Sequence, residues 1–148
     1  MQAYSQNGVR QERTNWRDQE ISSRHRDWGF HCPAVDLDFL MVEYNLGLPV
    51  GLIEYKHFQA RQPDIKHPTY RALISLADLS KLPFMVAFYW PGIWAFRVHP
   101  HNDEAKKYFR QPYEDFSEEQ FVTRLYRMRY LAVGADIAGK LNRIGVPQ

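Results

Sequence analysis

The run AVDLDFLMVEY (Ala34–Tyr44), NLGLP (Asn45–Pro49), VGLIEYKHF (Val50–Phe58) decides how the chain is read. Two apolar, β-rich segments flank a stretch whose Asn, Gly and Pro are turn formers, so the run is expected to be an antiparallel hairpin. Charges stand inside those apolar segments: Asp36 and Asp38 in the first, Glu54 and Lys56 in the second. Side chains alternate along a strand, so Asp36 shares a face with Asp38, and Glu54 with Lys56. Register decides whether the two pairs share a face. In an even register, such as Tyr44 opposite Leu48 around the three-residue loop Asn45-Leu46-Gly47, Asp38 faces Glu54 and Asp36 faces Lys56. An odd register puts them on opposite faces and abolishes the site.

Carboxylates brought together in this way repel and lose hydration unless a cation lies between them. A hard divalent cation answers that need. Mg²⁺ takes oxygen ligands, commonly one or two carboxylates with waters and substrate phosphate, a set suited to phosphodiester hydrolysis; Mn²⁺ would substitute. Lys56, on the face of Glu54, is placed to hold the attacking water and to offset charge on the pentavalent transition state. The plain alternative is an exposed aspartate beside an ordinary Glu54–Lys56 surface pair. The apolar neighbours Val35, Leu37, Phe39, Leu40, Leu52 and Ile53 weigh against it.

Outward from the hairpin, residues 1–12 read as a flexible lead-in. A first helix is expected from Thr14 to about Asp27, where Trp16, Glu20, Ile21, Arg24 and Trp28 recur at helical spacings. Downstream, polar Gln59–His67 reads as a loop, and Pro68 opens a second helix with the apolar stripe Leu73, Leu76, Ala77 and Ser80. Strands follow at Phe84–Trp90 and Ile93–His99 around Pro91-Gly92, the first apolar enough to be a central strand covered on both faces. A helical turn is expected at Glu104–Phe109, and Ser117-Glu118-Glu119-Gln120 opens a last helix running to about Leu131. The tail 132–148 is left unplaced. Helix, two strands, helix, two strands, helix describes an α/β (α+β) chain, a small mixed sheet flanked by helices, in a single domain 1–148.

A first helix, an aspartate on one strand, a tight turn and Glu54-Tyr55-Lys56 on the next strand resemble the PD-(D/E)XK nuclease superfamily, over roughly Thr14–His99. The resemblance implies a restriction-endonuclease-like core and Mg²⁺-dependent hydrolysis of DNA, less often RNA, here by a small endonuclease. It makes Asp38, with Asp36 as substitute, and Glu54 the metal ligands, the carbonyl of Tyr55 a further ligand and Lys56 the catalytic lysine. Some members add a glutamate from the first helix, where Glu20 stands. Two departures are visible: Pro33-Ala34-Val35-Asp36-Leu37-Asp38 stands where the family often has Pro-Asp, and the second helix precedes the third strand, for which Phe84–Trp90 is the candidate.

At 148 residues, 45% hydrophobic and 15% aromatic, the chain can bury a real core and does not carry the composition of a disordered one. It has no apolar run near the roughly 20 residues of a membrane span, and its start is polar without a secretion signal's apolar core. The lone Cys32 allows no internal disulfide, and a cytoplasmic location is expected. His31-Cys32 and His99-Pro100-His101 lack transition-metal spacing, and no Gly-rich phosphate loop or G-x-S-x-G is present. The net charge of +2 is uneven, with Arg124, Arg127, Arg129, Lys140 and Arg143 against Asp136 alone in residues 120–148. Arg24 and Arg26 precede Trp28, a pairing suited to phosphate and base. Arg24, Arg26, Arg124 and Arg127 are therefore expected to contact nucleic acid, DNA or RNA. Cutting two strands with one site per chain would favour a two-fold homodimer. The competing expectation is a non-catalytic nucleic-acid-binding or assembly module that keeps the nuclease fold.

Overall fold

The structure is a computed structural model that describes residues 19–28, 37–110 and 114–133. The expected lead-in 1–12, the residues His31, Cys32 and Asp36, and the tail from 134 onward lie outside that range. Chain contacts divide between Asp36 and Leu37, and the two parts are described separately. In the first, helix α1 (Gln19–Trp28) occupies part of the expected span, with Glu20 in its first turn. Glu20 and Arg24 are exposed, and the side chain of Arg26 lies outside what is described.

The second part is built on a five-stranded mixed sheet of order β1-β2-β3-β4-β5: Phe39–Glu43, Leu48–His57, Phe84–Trp90, Ala95–Pro100 and Asp115–Phe116. β3 lies at the centre, parallel to β2 and antiparallel to β4. Parallel neighbours need a long crossover, which the loop after β2 and helix α2 (Pro68–Leu79) supply. One face of the sheet packs Leu52, Phe84, Val86 and Phe88 against Leu73 and Ala77 of α2. The other packs Ile53, Met85, Ala87 and Val98 against helices α3 (Asp103–Lys106) and α4 (Glu118–Val133) through Ala105, Phe121 and Met128.

Local chemistry sets the helix ends. Pro68 occupies the first turn of α2, and His67 caps it, its side chain accepting the Thr69 amide at 3.2 Å. The capping box of α4 forms as read: Ser117 Oγ accepts the Gln120 amide at 3.2 Å, and Gln120 Oε1 accepts the Ser117 amide at 3.0 Å. Two buried polar groups tie the elements together. Asn102 Oδ1 accepts the amides of Phe84 and Ala105 while its Nδ2 donates to Leu82 O and Asp78, joining α2, β3 and α3. Glu43, 1% exposed, pairs with Arg129 and accepts the Asn45 amide, fixing α4 to the end of the first hairpin.

Several expectations are corrected. The stripe of α2 that meets the sheet is Tyr70, Leu73, Ile74 and Ala77, whereas Leu76 and Ser80 are exposed; the helix is rotated by the crossover it must close. β1 starts only at Phe39, so Asp38 stands just before the strand, in keeping with the poor strand propensity of aspartate. The second hairpin turns over the four residues Pro91–Trp94, with Gly92 at φ +88° and Trp94 at φ +50°, so that β4 begins at Ala95 and not at Ile93. Left-handed backbone costs a bulky L-residue about 1–2 kcal/mol. α3 covers Asp103–Lys106 in place of the turn expected at Glu104–Phe109, and β5, at two residues, is too short to leave a periodic signal.

The first hairpin carries a bulge. Phe39, Leu40 and Met41 pair with Ile53, Leu52 and Gly51, but Val42 and Glu43 pair with Pro49 and Leu48. Val50 is the extra residue. It is 1% exposed and joins the core on the α4 side, with Ile53. A Cβ at Gly51 would meet the same side, 2.9 Å from Met128 Cε and 3.2 Å from Pro83 Cγ. Gly51→Ala is therefore expected to cost about 1–3 kcal/mol through overpacking, measurable as a lower urea midpoint at unchanged m-value; an unchanged midpoint would mean that Met128 yields freely.

Candidate active site

The bulge decides whether a site exists. At the turn the register is odd, Glu43 against Leu48, around the four-residue loop Tyr44–Gly47, and not the expected pairing of Tyr44 with Leu48 around three residues. Carried on unchanged, that register would set Asp38 against Ile53, on the wrong face. The extra residue Val50 returns the ladder to an even register from Met41 onward. Carried one residue past Phe39, where the observed pairing ends, it would set Asp38 opposite Glu54. Asp38 is exposed. Asp36 lies outside the described residues, so its expected place opposite Lys56 lies outside them too.

Glu54 and Lys56 lie on the α2 face of β2, past the buried Leu52. Lys56 Nζ is 3.0 Å from Glu54 Oε1, with the two side chains 25% and 17% exposed. The hydroxyl of Tyr70, in the first turn of α2, donates to the same oxygen at 2.8 Å. Oε1 thus takes both bonds, and among the described residues Oε2 is left for a further donor or a cation. Burial pulls the Lys56 pKa down, but its hydrogen bonds to Glu54 and Tyr70 and their charges outweigh that, and the net shift is upward. Lys56 is therefore an ammonium at neutral pH. Burial raises the Tyr70 hydroxyl, helped by Glu54 and opposed by Lys56. Tyr55 points to the other face, where burial pushes it up to about 12; only its backbone belongs to the site.

Across the sheet the register continues the site. Glu54 pairs with Val86, which pairs with His99; Lys56 pairs with Phe88, which pairs with Arg97. His99 sets its ring edge-on to Phe88 at 5.3 Å, and His101 lies against Phe84 at 5.8 Å. Burial lowers both imidazoles; Arg97 lowers His99 further, and His99 lowers His101 while the Glu54 carboxylate pulls it back up. Sequence reading missed Tyr70 and both histidines as neighbours of Glu54. The signal for Tyr70 was its place three residues before Leu73; His99 becomes a neighbour only through strand pairing.

The lowered histidines give stability a pH dependence. Below the ordinary value of 6.5 the unfolded chain takes up protons that the folded chain refuses. Stability is full above 6.5 and is lost as pH falls from there through the lowered folded values. The melting temperature is expected to drop between about pH 7 and 5, and to drop less in His99→Asn/His101→Gln. An equal drop in that double variant would place the cause elsewhere.

The remaining site expectations separate. Glu20 and Arg24 are on α1, described apart from the sheet. Arg124 donates to Tyr108 O at 2.7 Å and lies over the Phe116 ring, so its guanidinium is occupied within the fold. Arg127 is exposed on α4. His57, on the face opposite Lys56, lies edge-on to Tyr89 at 5.8 Å and acts in packing. Among the described residues no group of three or more His, Cys, Asp or Glu is placed to hold a metal ion, and no helix is long and apolar enough to cross a membrane. Comparisons with protein-family models, curated proteins and solved structures find no match to the chain.

Proposed function

We propose that the chain is a metal-dependent nuclease of the PD-(D/E)XK type, hydrolysing phosphodiester bonds of DNA at Glu54, Lys56 and Asp38. The observation that carries the reading is the half-buried Glu54–Lys56 pair, 3.0 Å apart on one strand face, with Asp38 just before the neighbouring strand β1, whose register runs toward Glu54. Two carboxylates are what Mg²⁺ commonly takes from a protein, with waters and phosphate oxygens completing its shell. Asp38 and Glu54, through Oε2, have the chemistry of that donor set, with the Tyr55 carbonyl as a further oxygen. Bound there, Mg²⁺ or Mn²⁺ would supply Lewis acidity and lower the pKa of water.

The chain's own residues do the rest. A water oxygen forms a bond to phosphorus, the opposite bond to the leaving oxygen breaks, the water's proton passes to solvent, and the leaving oxygen is protonated. Lys56, fully charged at neutral pH, donates to the attacking water or a non-bridging oxygen and offsets the charge that builds on the phosphorane. A raised pKa makes it a poor base, so its part is electrostatic. Tyr70 fixes the Glu54 carboxylate. Arg24, Arg26 and Arg127 are proposed phosphate contacts.

The second reading, a non-catalytic module, is favoured by one feature: Glu54 already has Lys56 and Tyr70 as partners, as a purely structural ion pair would. Calorimetry with Mn²⁺ separates the two. The nuclease binds Mn²⁺ at a site that Glu54→Ala removes, and cuts plasmid or oligonucleotide in Mg²⁺. Failure of wild-type protein to bind Mn²⁺ and to cut would leave the module reading.

A further inference from the structure

Beyond Lys56, the sheet ends in rings. Phe58 continues β2 by one hydrogen bond, its amide donating to Tyr89 O at 2.9 Å, and its ring stacks on Trp90 with centroids 5.6 Å apart and planes within 14°. Trp90 is on the α2 face, with Phe88 and Val86, and its ring carries the Arg97 guanidinium at 5.5 Å. Phe58 stands two residues after Lys56, just past the end of β2 and about 7 Å farther along; its stack on Trp90 brings its ring to the α2 side, and the His57 ring lies 4.5 Å from it. It is 40% exposed, and Trp90 is half-buried. The Tyr89–Trp94 stack belongs to the opposite face and is not part of this surface.

We propose that the Phe58–Trp90 pair is a stacking platform for an unpaired base, so that the substrate of the Glu54–Lys56 site is a single-stranded nucleic acid. This rests on the reading of that site as a phosphodiesterase. Two observations and one physical argument support it. The rings lie one strand repeat beyond Lys56, the scale of a single nucleotide step, so a base seated there belongs to the strand whose phosphate reaches the lysine. The surrounding charge suits a polyanion: the segment from Lys56 to His67 carries Lys56, Arg61 and Lys66 against Asp64 alone, and Arg61 and Lys66 are exposed. Finally, a base inside a duplex has both faces covered by its neighbours, whereas an unpaired base offers a face to an aromatic ring. Backbone charge provides affinity for any strand, and the rings select the unpaired one.

Binding is measured without cutting, in EDTA, with a fluorescein-labelled oligothymidylate of about 20 nucleotides and a duplex of equal length. Oligothymidylate is expected to quench tryptophan emission. Phe58→Leu, which keeps an apolar side chain on an exposed position, is expected to weaken oligothymidylate binding about 5- to 150-fold and duplex binding less than about twofold. Trp90→Phe, which keeps a ring within the packed face, is expected to retain most of the affinity. Equal weakening of both probes, or of neither, overturns the platform. So does a homodimer in sedimentation that Phe58→Leu dissociates while oligothymidylate binding is unchanged, since the rings would then cover a second copy. Adding Mg²⁺ afterwards tests the underlying reading on its own: selective binding without cleavage overturns only the hydrolase, and cleavage without the ring-dependent selectivity overturns only the platform.

Discussion

Lys56→Ala is expected to lower phosphodiester hydrolysis by at least about two orders of magnitude while leaving Mn²⁺ affinity within about twofold. In the proposed mechanism the lysine is not a ligand. Its ammonium sits 3.0 Å from Glu54 Oε1 and is held protonated by Glu54 and Tyr70, so its removal takes away the charge proposed to act on the attacking water and the phosphorane. Lys56→Arg should recover little, because a planar guanidinium cannot replace a compact ammonium at the same point. Glu54→Ala should lose both cleavage and Mn²⁺ binding, since the proposed carboxylate ligand is gone. The readouts are single-turnover cleavage in Mg²⁺ and Mn²⁺ calorimetry, with circular dichroism as the control for folding. Loss of Mn²⁺ binding in folded Lys56→Ala would show that the lysine shapes the ligand set, and its role would be structural.

The largest effect on stability is expected at Glu43. Its carboxylate is 1% exposed and is met by Arg129, itself 15% exposed, and by the Asn45 amide. Breaking a buried pair from one side leaves the other charge without compensation and costs about 3–5 kcal/mol. Glu43→Met should therefore lower the melting temperature by roughly 10 °C or more for a chain of this size. Glu43→Met/Arg129→Met should recover much of that loss, because two apolar side chains leave no buried charge. A double variant no more stable than Glu43→Met would mean that the pair holds the hairpin in place by geometry that apolar packing cannot supply. Because the same hairpin carries the register on which the proposed role of Asp38 depends, cleavage by Glu43→Met should fall before the protein unfolds.

Much of the architecture is legible in the sequence. The strand Phe84–Trp90 was readable because a run of seven apolar residues between Pro83 and Pro91 has no other stable use than a central strand. The capping box at Ser117–Gln120 and the entry of α2 at Pro68 were equally local, since each depends on residues within one turn. The stripe of α2 holds at Leu73 and Ala77 and fails at Leu76 and Ser80, because periodicity gives the spacing of a helical face, and the crossover between β2 and β3 decides which face is turned inward. Tyr70 entered the site by that rotation.

The amino-acid sequence by itself determined which residues are chemically able to form the site: period-two alternation puts Glu54 and Lys56 on one strand face whatever the rest of the chain does. It also determined the α/β class, because the order of apolar runs and breakers admits few other layered packings. Only the tertiary structure decided the even register at Phe39–Ile53, which, carried one residue further, turns Asp38 toward the face of Glu54. The turn alone sets an odd register, and the bulge at Val50 corrects it because the core on the α4 side draws in Val50 where strict alternation would turn it the other way. Tertiary structure likewise placed His99 in the row of Glu54, since the pairing of β3 with β4 is a contact between segments that carry no local record of each other.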